Sequence, residues 1–100
     1  MSSTTRKLVT VVCEAGLETR LTQDVMRLGA RGYTVTEARG RGSRGVRNAA
    51  WDTAANIRVE VVCEERIARR IEEHLQKHYS DNFAMILFSV DVEVLRPEKF

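Results

Sequence analysis

The sequence predicts one α+β domain, a four-stranded antiparallel sheet with two helices on one face, in the order β-α-β-β-α-β. Three observations carry that reading. Short β-branched runs alternate with amphipathic helical stretches. The tetrapeptide VVCE occurs twice, at Val11–Glu14 and Val61–Glu64, each time where a strand gives way to a helix. A chain of 100 residues with 43% apolar content can fill one core and not two. Residues 1–100 therefore read as a single domain.

The elements follow in order. Lys7–Cys13 (KLVTVVC) is short and almost continuously apolar, the mark of a central strand. Leu17, Leu21, Val25 and Leu28 then fall on one face of a helix, which Gly29 and Gly32 end. Tyr33–Ala38 alternates as a second strand. Arg39–Asn56 has no periodic apolar face and reads as a long loop, a feature that compact domains usually reserve for function. Ile57–Cys63 is a third strand with Ile57, Val59, Val61 and Cys63 on one side. Arg66–Tyr79 is a second helix with Ile67, Ile71, Leu75 and His78 along its stripe. Met85–Leu95 is a fourth strand, with Ile86, Phe88, Val90, Val92 and Val94 facing away from Asp91 and Glu93.

Two such halves make the ferredoxin-like, split βαβ arrangement. Right-handed crossovers put both helices on one face. The first and third strands become central neighbours, read here as parallel. The other face is left bare, and a second copy of the chain is the simplest cover for it.

Composition excludes several classes. Sixteen basic against fourteen acidic residues leave a net charge of +2, too little for a general DNA-binding protein. The two central strands carry no aromatic residue on which RNA bases could stack. No nucleic-acid partner is expected. No apolar run approaches the ~20 residues of a membrane span, and the first residues show no secretory signal, so a cytoplasmic protein is expected. Cys13 and Cys63 match no metal or redox spacing and read as two buried thiols. His74 and His78 stand at i, i+4, a spacing that suits one metal, but no third ligand is evident and no metal is expected.

The basic residues are skewed. Thirteen are Arg, and four of them (Arg39, Arg41, Arg44, Arg47) fall between Ala38 and Ala50 with no acid among them. The run Gly40-Arg41-Gly42-Ser43-Arg44-Gly45 formally satisfies G-x-G-x-x-G. No helix follows it, so it is not a dinucleotide fingerprint. Its physical content stands without the motif. Glycine amides can form an anion-binding nest, Ser43 adds a hydroxyl, and Arg41, Arg44 and Arg47 add forked donors suited to phosphate or carboxylate. The plain alternative is a solvated basic loop tip. Trp51, in the same loop, either anchors a partner or folds back on the protein. No nucleophile–base pair can be read, so the chain is not expected to be an enzyme.

These same stretches resemble the PII signalling proteins. Tyr33-Thr34-Val35-Thr36-Glu37 is similar to the second-strand motif T-V-T-E-V that leads into the family's T-loop. A closer likeness is to the PII-like carbon sensors, the SbtB group and the carboxysome-associated PII-like (CPII) proteins. It is carried by Arg31-Gly32-Tyr33-Thr34-Val35, Gly40-Arg41-Gly42-Ser43-Arg44-Gly45-Val46-Arg47, Ala55-Asn56-Ile57, Tyr79-Ser80-Asp81-Asn82-Phe83-Ala84 and Glu93-Val94-Leu95.

The resemblance implies a homotrimer that binds adenine nucleotide in clefts between subunits, at the base of a T-loop spanning approximately 40–56. Gly40, Gly42 and Ser43 would donate to the ligand. Arg44 and Arg47 would hold phosphate, with Arg41 in support. Thr34 corresponds to the residue that reads the adenine edge, Val61 and Val62 would wall the base, and Arg96 stands near the C-terminal arginines that reach phosphate. Arg39, Arg41, Ser43 and Arg44 are candidates for bicarbonate. Tyr79–Ala84 lacks the Gly and Lys of the phosphate-binding B-loop, so ADP or AMP fits better than ATP, with cyclic AMP a third candidate. The T-loop has no Tyr to uridylylate, and the cysteine-containing C-terminal extension of SbtB has no counterpart. The implied target is a bicarbonate transporter or carbon-assimilation protein, which would recruit the chain to the inner membrane. A nitrogen-type regulator answering to ATP and 2-oxoglutarate, and a small acyl-phosphate or nucleotide hydrolase on a ferredoxin-like fold, are the alternatives.

Overall fold

The structure, a computed structural model, describes residues 4–42, 45–46, 56–79 and 84–100. Its elements are β1 (Thr5–Glu14), α1 (Glu18–Arg27), β2 (Thr34–Ala38), β3 (Arg41–Gly42), β4 (Gly45–Val46), β5 (Asn56–Cys63), α2 (Glu65–His78) and β6 (Ile86–Glu93). Short 3₁₀ turns at Ala15–Leu17 and Pro97–Lys99 precede α1 and close the chain. The main sheet runs β2-β5-β1-β6, and every pair in it is antiparallel. This is the expected ferredoxin-like βαββαβ order.

One expectation is corrected. The central strands β1 and β5 are antiparallel, not parallel. A βαβ crossover makes its own two strands parallel, and here each crossover skips one position. The strand inserted in the gap belongs to the other half and runs the opposite way. Cys13 therefore sits across from Ile57, and Cys63 across from Lys7. The two cysteines lie six rungs apart, roughly 20 Å at ~3.4 Å per residue.

The register sorts the side chains. Val9, Val11 and Cys13 from β1 and Ile57, Val59, Val61 and Cys63 from β5 face the helices and are buried. They meet Leu21 and Val25 of α1 and Ile67, Ala68, Ile71 and Leu75 of α2. The buried stripe of α2 continues to Tyr79 rather than to His78, which is exposed. Tyr79 follows the last helical residue with non-helical backbone and turns its hydroxyl inward to Asp24. The opposite sheet face carries Leu8, Thr10 and Val12 from β1, Val62 from β5, and Ile86, Phe88 and Val90 from β6. The last three are 49%, 44% and 46% exposed, so the protomer alone leaves this apolar stripe uncovered.

The end of α1 depends on one glycine. Gly29 N–H donates to Met26 O and Ala30 N–H to Val25 O, both at 3.1 Å, the paired bonds of a Schellman motif. Gly29 has φ +120°, and a Cβ there would come 2.6 Å from Ile67 Cδ1. The positive φ disfavours any side chain there, and a Cβ would also require the tip of Ile67 to move. Gly29→Ala is expected to destabilise the protein by more than about 1 kcal/mol, read as a lower midpoint in chemical unfolding. Burial, with Glu72 and Glu64 adding to it, pushes the Cys63 thiol up to about 11, and neither cysteine is in a disulfide. Both thiols should resist a thiol reagent at neutral pH until the protein is unfolded, and oxidation should form no bridge within one chain.

Candidate functional site

The sequence-nominated residues divide between the two ends of the sheet. β2 is an edge strand, and Thr34, Thr36 and Ala38 lie on the open face, paired with Glu60, Arg58 and Asn56. Thr34 is exposed there. Val62 stands on the same face, half-buried, directly across from Leu8. Its neighbour Val61 points the other way and is 1% exposed in the core. Alternation along a strand sends adjacent side chains to opposite faces.

Beyond Ala38 the chain reaches the exposed Arg39 and Gly40. It then forms a two-stranded ribbon, β3 against β4, with Arg41 opposite Val46 and Gly42 opposite Gly45. Periodicity alone leaves a plain loop here. The missed signal is the pair of glycines bracketing two residues, the spacing of a tight hairpin. Gly40 has ample room and no positive φ, so nothing within the protomer requires glycine at that position. Ser43, Arg44, Arg47 and Trp51 lie outside the described residues.

At the root of this loop Asn56 is flanked by Ala38 on one side and Glu14 on the other. It is 7% exposed, and its Oδ1 accepts no hydrogen bond. Thr10, 1% exposed, has an equally unpartnered Oγ1 on the same face. Two orphaned polar atoms on one uncovered face mark a surface whose polar groups are not completed within the protomer.

Arg96 is elsewhere. It is exposed and heads the 3₁₀ turn Pro97–Lys99, just past the end of β6. Thr5 pairs with Glu93, so this segment lies beside the start of β1. The loop base lies beside the end of β1. Within one subunit the structure does not bring Arg96 to Arg39–Arg41.

The segment 80–84 follows α2, whose end is fixed by a buried polar cluster that no sequence pattern announces. Asp24 is 7% exposed on the apolar face of α1. Its Oδ2 accepts from Tyr79 Oη at 2.6 Å and lies 3.1 Å from His74 Nε2, and its Oδ1 accepts from Arg27 at 3.0 Å. The Arg20 guanidinium lies 4.3 Å over the Tyr79 ring. Burial alone would raise the Asp24 pKa. The hydrogen bonds from Tyr79 and His74 and the charges of His74 and Arg27 outweigh it and hold the carboxyl below its ordinary value. Burial and the Asp24 carboxylate push the Tyr79 hydroxyl up. His74 is thus engaged with Asp24, and among the described residues no group of three His, Cys, Asp or Glu could hold a metal. The one signal in sequence is an aspartate between Leu21 and Val25 on an otherwise apolar stripe.

A cleft of about 570 Å³ lies between α2 and β6, lined by Glu72, Leu75, Gln76, Tyr79, Met85, Leu87, Phe88 and Ser89. Among the described residues none of the nominated ligand contacts lines it, and the one charged residue that does is acidic, which disfavours phosphate.

The chain thus combines a ferredoxin-like fold, a bare sheet face and an arginine- and glycine-rich loop between its second and third main strands. The family model described as nitrogen regulatory protein P-II matches residues 6–99, and the chain belongs to that family. Proteins of this family are in general signalling regulators rather than enzymes. The chain is 48% identical to a PII-like signalling protein of Thermus thermophilus, with a TM-score of 0.81 over 96% of this chain and 95% of that one. It is 25% identical to CPII of Thiomonas intermedia bound to ADP and bicarbonate, with a TM-score of 0.83 over 96% and 94%. Another structure of CPII, bound to ADP, AMP and bicarbonate, shares the fold at 24% identity, with a TM-score of 0.84 over 96% and 93%. Among the described residues no helix is long and apolar enough to cross a membrane.

The Asp24 cluster gives a pH dependence of defined sign. A folded-state pKa below the unfolded one means stability that is present above pH ~4 and lost as pH falls through the folded value. Asp24→Asn should flatten this acid limb of thermal midpoint against pH. It should also cost about 1–3 kcal/mol at neutral pH by breaking a buried network.

Proposed function

We propose that this chain is a PII-like regulator that binds ADP or AMP in clefts between the subunits of a homotrimer, with bicarbonate as a second effector. The likeness to CPII bound to ADP and bicarbonate, at 25% identity over nearly the whole chain, carries the reading. Three features of the chain support it. The apolar stripe Ile86, Phe88, Val90 is uncovered in the protomer, as a subunit of an oligomer requires. Four arginines without an acid stand from Arg39 to Arg47, where Gly40, Gly42, Ser43, Arg44 and Arg47 are the proposed phosphate contacts and Arg39 and Arg41 offer spare donors for bicarbonate. Thr34, at the start of β2, and Val62 share the open face, where they are the proposed contacts for the base.

The segment after α2 has neither Gly nor Lys, which favours ADP or AMP over ATP. The chain acts in the cytoplasm without catalysis, and no metal is required. The T-loop, with Trp51 as its anchor, carries the signal to a bicarbonate transporter or a carbon-assimilation protein. Ordering of a loop by ligand is a sufficient means of transmission.

Calorimetric titration with ATP, ADP, AMP and cyclic AMP, each with and without bicarbonate, tests the proposal. ADP or AMP should bind, bicarbonate at millimolar concentration should shift the affinity, and Arg47→Ala should weaken binding. A lost charge-assisted bond of about 1.5–3 kcal/mol corresponds to roughly 10- to 100-fold. A folded, assembled protein with no affinity for any adenine nucleotide overturns the reading. Binding that ignores bicarbonate removes the effector alone.

A further inference from the structure

The open sheet face carries two opposite charges on a central strand. Arg58 and Glu60 alternate along β5 with the core residues Ile57, Val59 and Val61, so both point away from the helices. Arg58 lies between Thr36 of β2 and Val12 of β1, and Glu60 between Thr34 and Thr10. Beyond β1 the same two rungs end in Ile86 and Phe88 of β6. The charges thus stand where a threonine-bearing edge meets the apolar stripe.

Within the protomer the pair is poorly made. Arg58 Nε lies 3.6 Å from Glu60 Oε2, beyond hydrogen-bond distance. Among the described residues the two Nη groups of Arg58 bond nothing, and Glu60 accepts no hydrogen bond. Thr10, across the rung from Glu60, is 1% exposed and its Oγ1 is unpartnered. Water serves both charges while the face is open, since their side chains are 50% and 32% exposed. Covering the face removes that water, and a buried charge is costly unless it is paired and hydrogen-bonded. The cover therefore has to bring an acceptor for Arg58 and a donor for Glu60. An acidic partner would serve only the first, and a basic one only the second. A second copy of this chain brings both in equal number, together with an apolar stripe to match the one it covers.

We propose that Arg58 of one copy pairs with Glu60 of the next, and that these pairs run around the assembly as a closed ring of alternating charge. The long contact within each chain is exchanged for charge-assisted hydrogen bonds between chains. The ring also sets the register of the subunits, because a packing that places Arg58 against Arg58, or Glu60 against Glu60, is repelled. The inference rests on the homotrimer proposed above and names the residues that choose its geometry.

The test reverses each charge. Arg58→Glu, Glu60→Arg and the double Arg58→Glu/Glu60→Arg variant are followed by light scattering and native mass spectrometry, with circular dichroism to check folding. Both positions face outward, so the core is untouched. Each single reversal should weaken assembly by roughly a hundredfold or more, because like charges then meet at every contact. The double reversal should assemble as wild type does. The deciding sample is an equimolar mixture of the two single variants. Two of the three contacts in a mixed trimer join opposite charges, so mixed trimers should form where neither variant assembles alone. Should a reversed chain fail to fold, Arg58→Gln and Glu60→Gln take its place. Each should raise the dissociation constant of the trimer about tenfold, whereas a pair made within one chain would leave it unchanged. A monomeric wild type overturns this proposal together with the homotrimer. A trimeric wild type whose single reversals assemble normally, or whose mixture stays dissociated, overturns the pairing and leaves the homotrimer standing.

Discussion

The antiparallel ladder between β1 and β5 decides where everything else lies. Eight rungs join the two strands from Lys7–Cys63 to Glu14–Asn56. On one side they bury Val9, Val11, Cys13, Ile57, Val59, Val61 and Cys63 beneath both helices. A slip of one residue would send this set to the open face and bring Leu8, Thr10, Val12 and Val62 inward. The ladder also fixes the ends. It sets the loop root at Asn56 beside Glu14, and the C-terminal segment beside the start of β1. Any chemistry that joins these two regions has to be done between molecules.

The helix layer is tied by fewer, stronger features. Gly29 allows α1 to end against Ile67 of α2. Asp24 gathers a tyrosine, a histidine and an arginine into one buried cluster between the same helices. Burying a carboxylate is costly unless it is paired and hydrogen-bonded, and here its two oxygens accept three bonds. The cluster holds Tyr79, the last residue before 80–84. An electrostatic device in the helix layer thus determines where that segment starts.

Much of this is legible in the sequence. All four main strands and both helices can be read to within two residues at their ends, because period-2 and period-3.6 patterns are long and clean here. The repeated VVCE locates the strand-to-helix junctions. The direction of the central strands is misread, since periodicity says which face a residue takes and nothing about which way its neighbour runs. Resemblance nominates Val61 and Val62 together, and the pleat sends their side chains to opposite faces. The Asp24 cluster is illegible. Asp24 and His74 are 50 positions apart. No local pattern encodes so distant a pair.

The repeat has a geometric meaning. Val11 and Val61 stand fifty positions apart, and the same offset carries the Cys13–Ile57 pair onto Cys63–Lys7. A pseudo-dyad therefore passes through the sheet beside the Thr10–Glu60 rung. It exchanges α1 with α2, edge β2 with edge β6, and the arginine-rich loop with the C-terminal segment. The two edges share a backbone plan but have diverged in chemistry. One offers Thr34 and Thr36 to the open face, the other Ile86, Phe88 and Val90. A subunit with identical edges would pair with itself across a twofold axis. One with unlike edges is suited to head-to-tail contact, which closes into a ring when the rotation between copies divides a full turn. Divergence between the two halves of an internally symmetric chain is thus a route from a symmetric fold to a cyclic assembly.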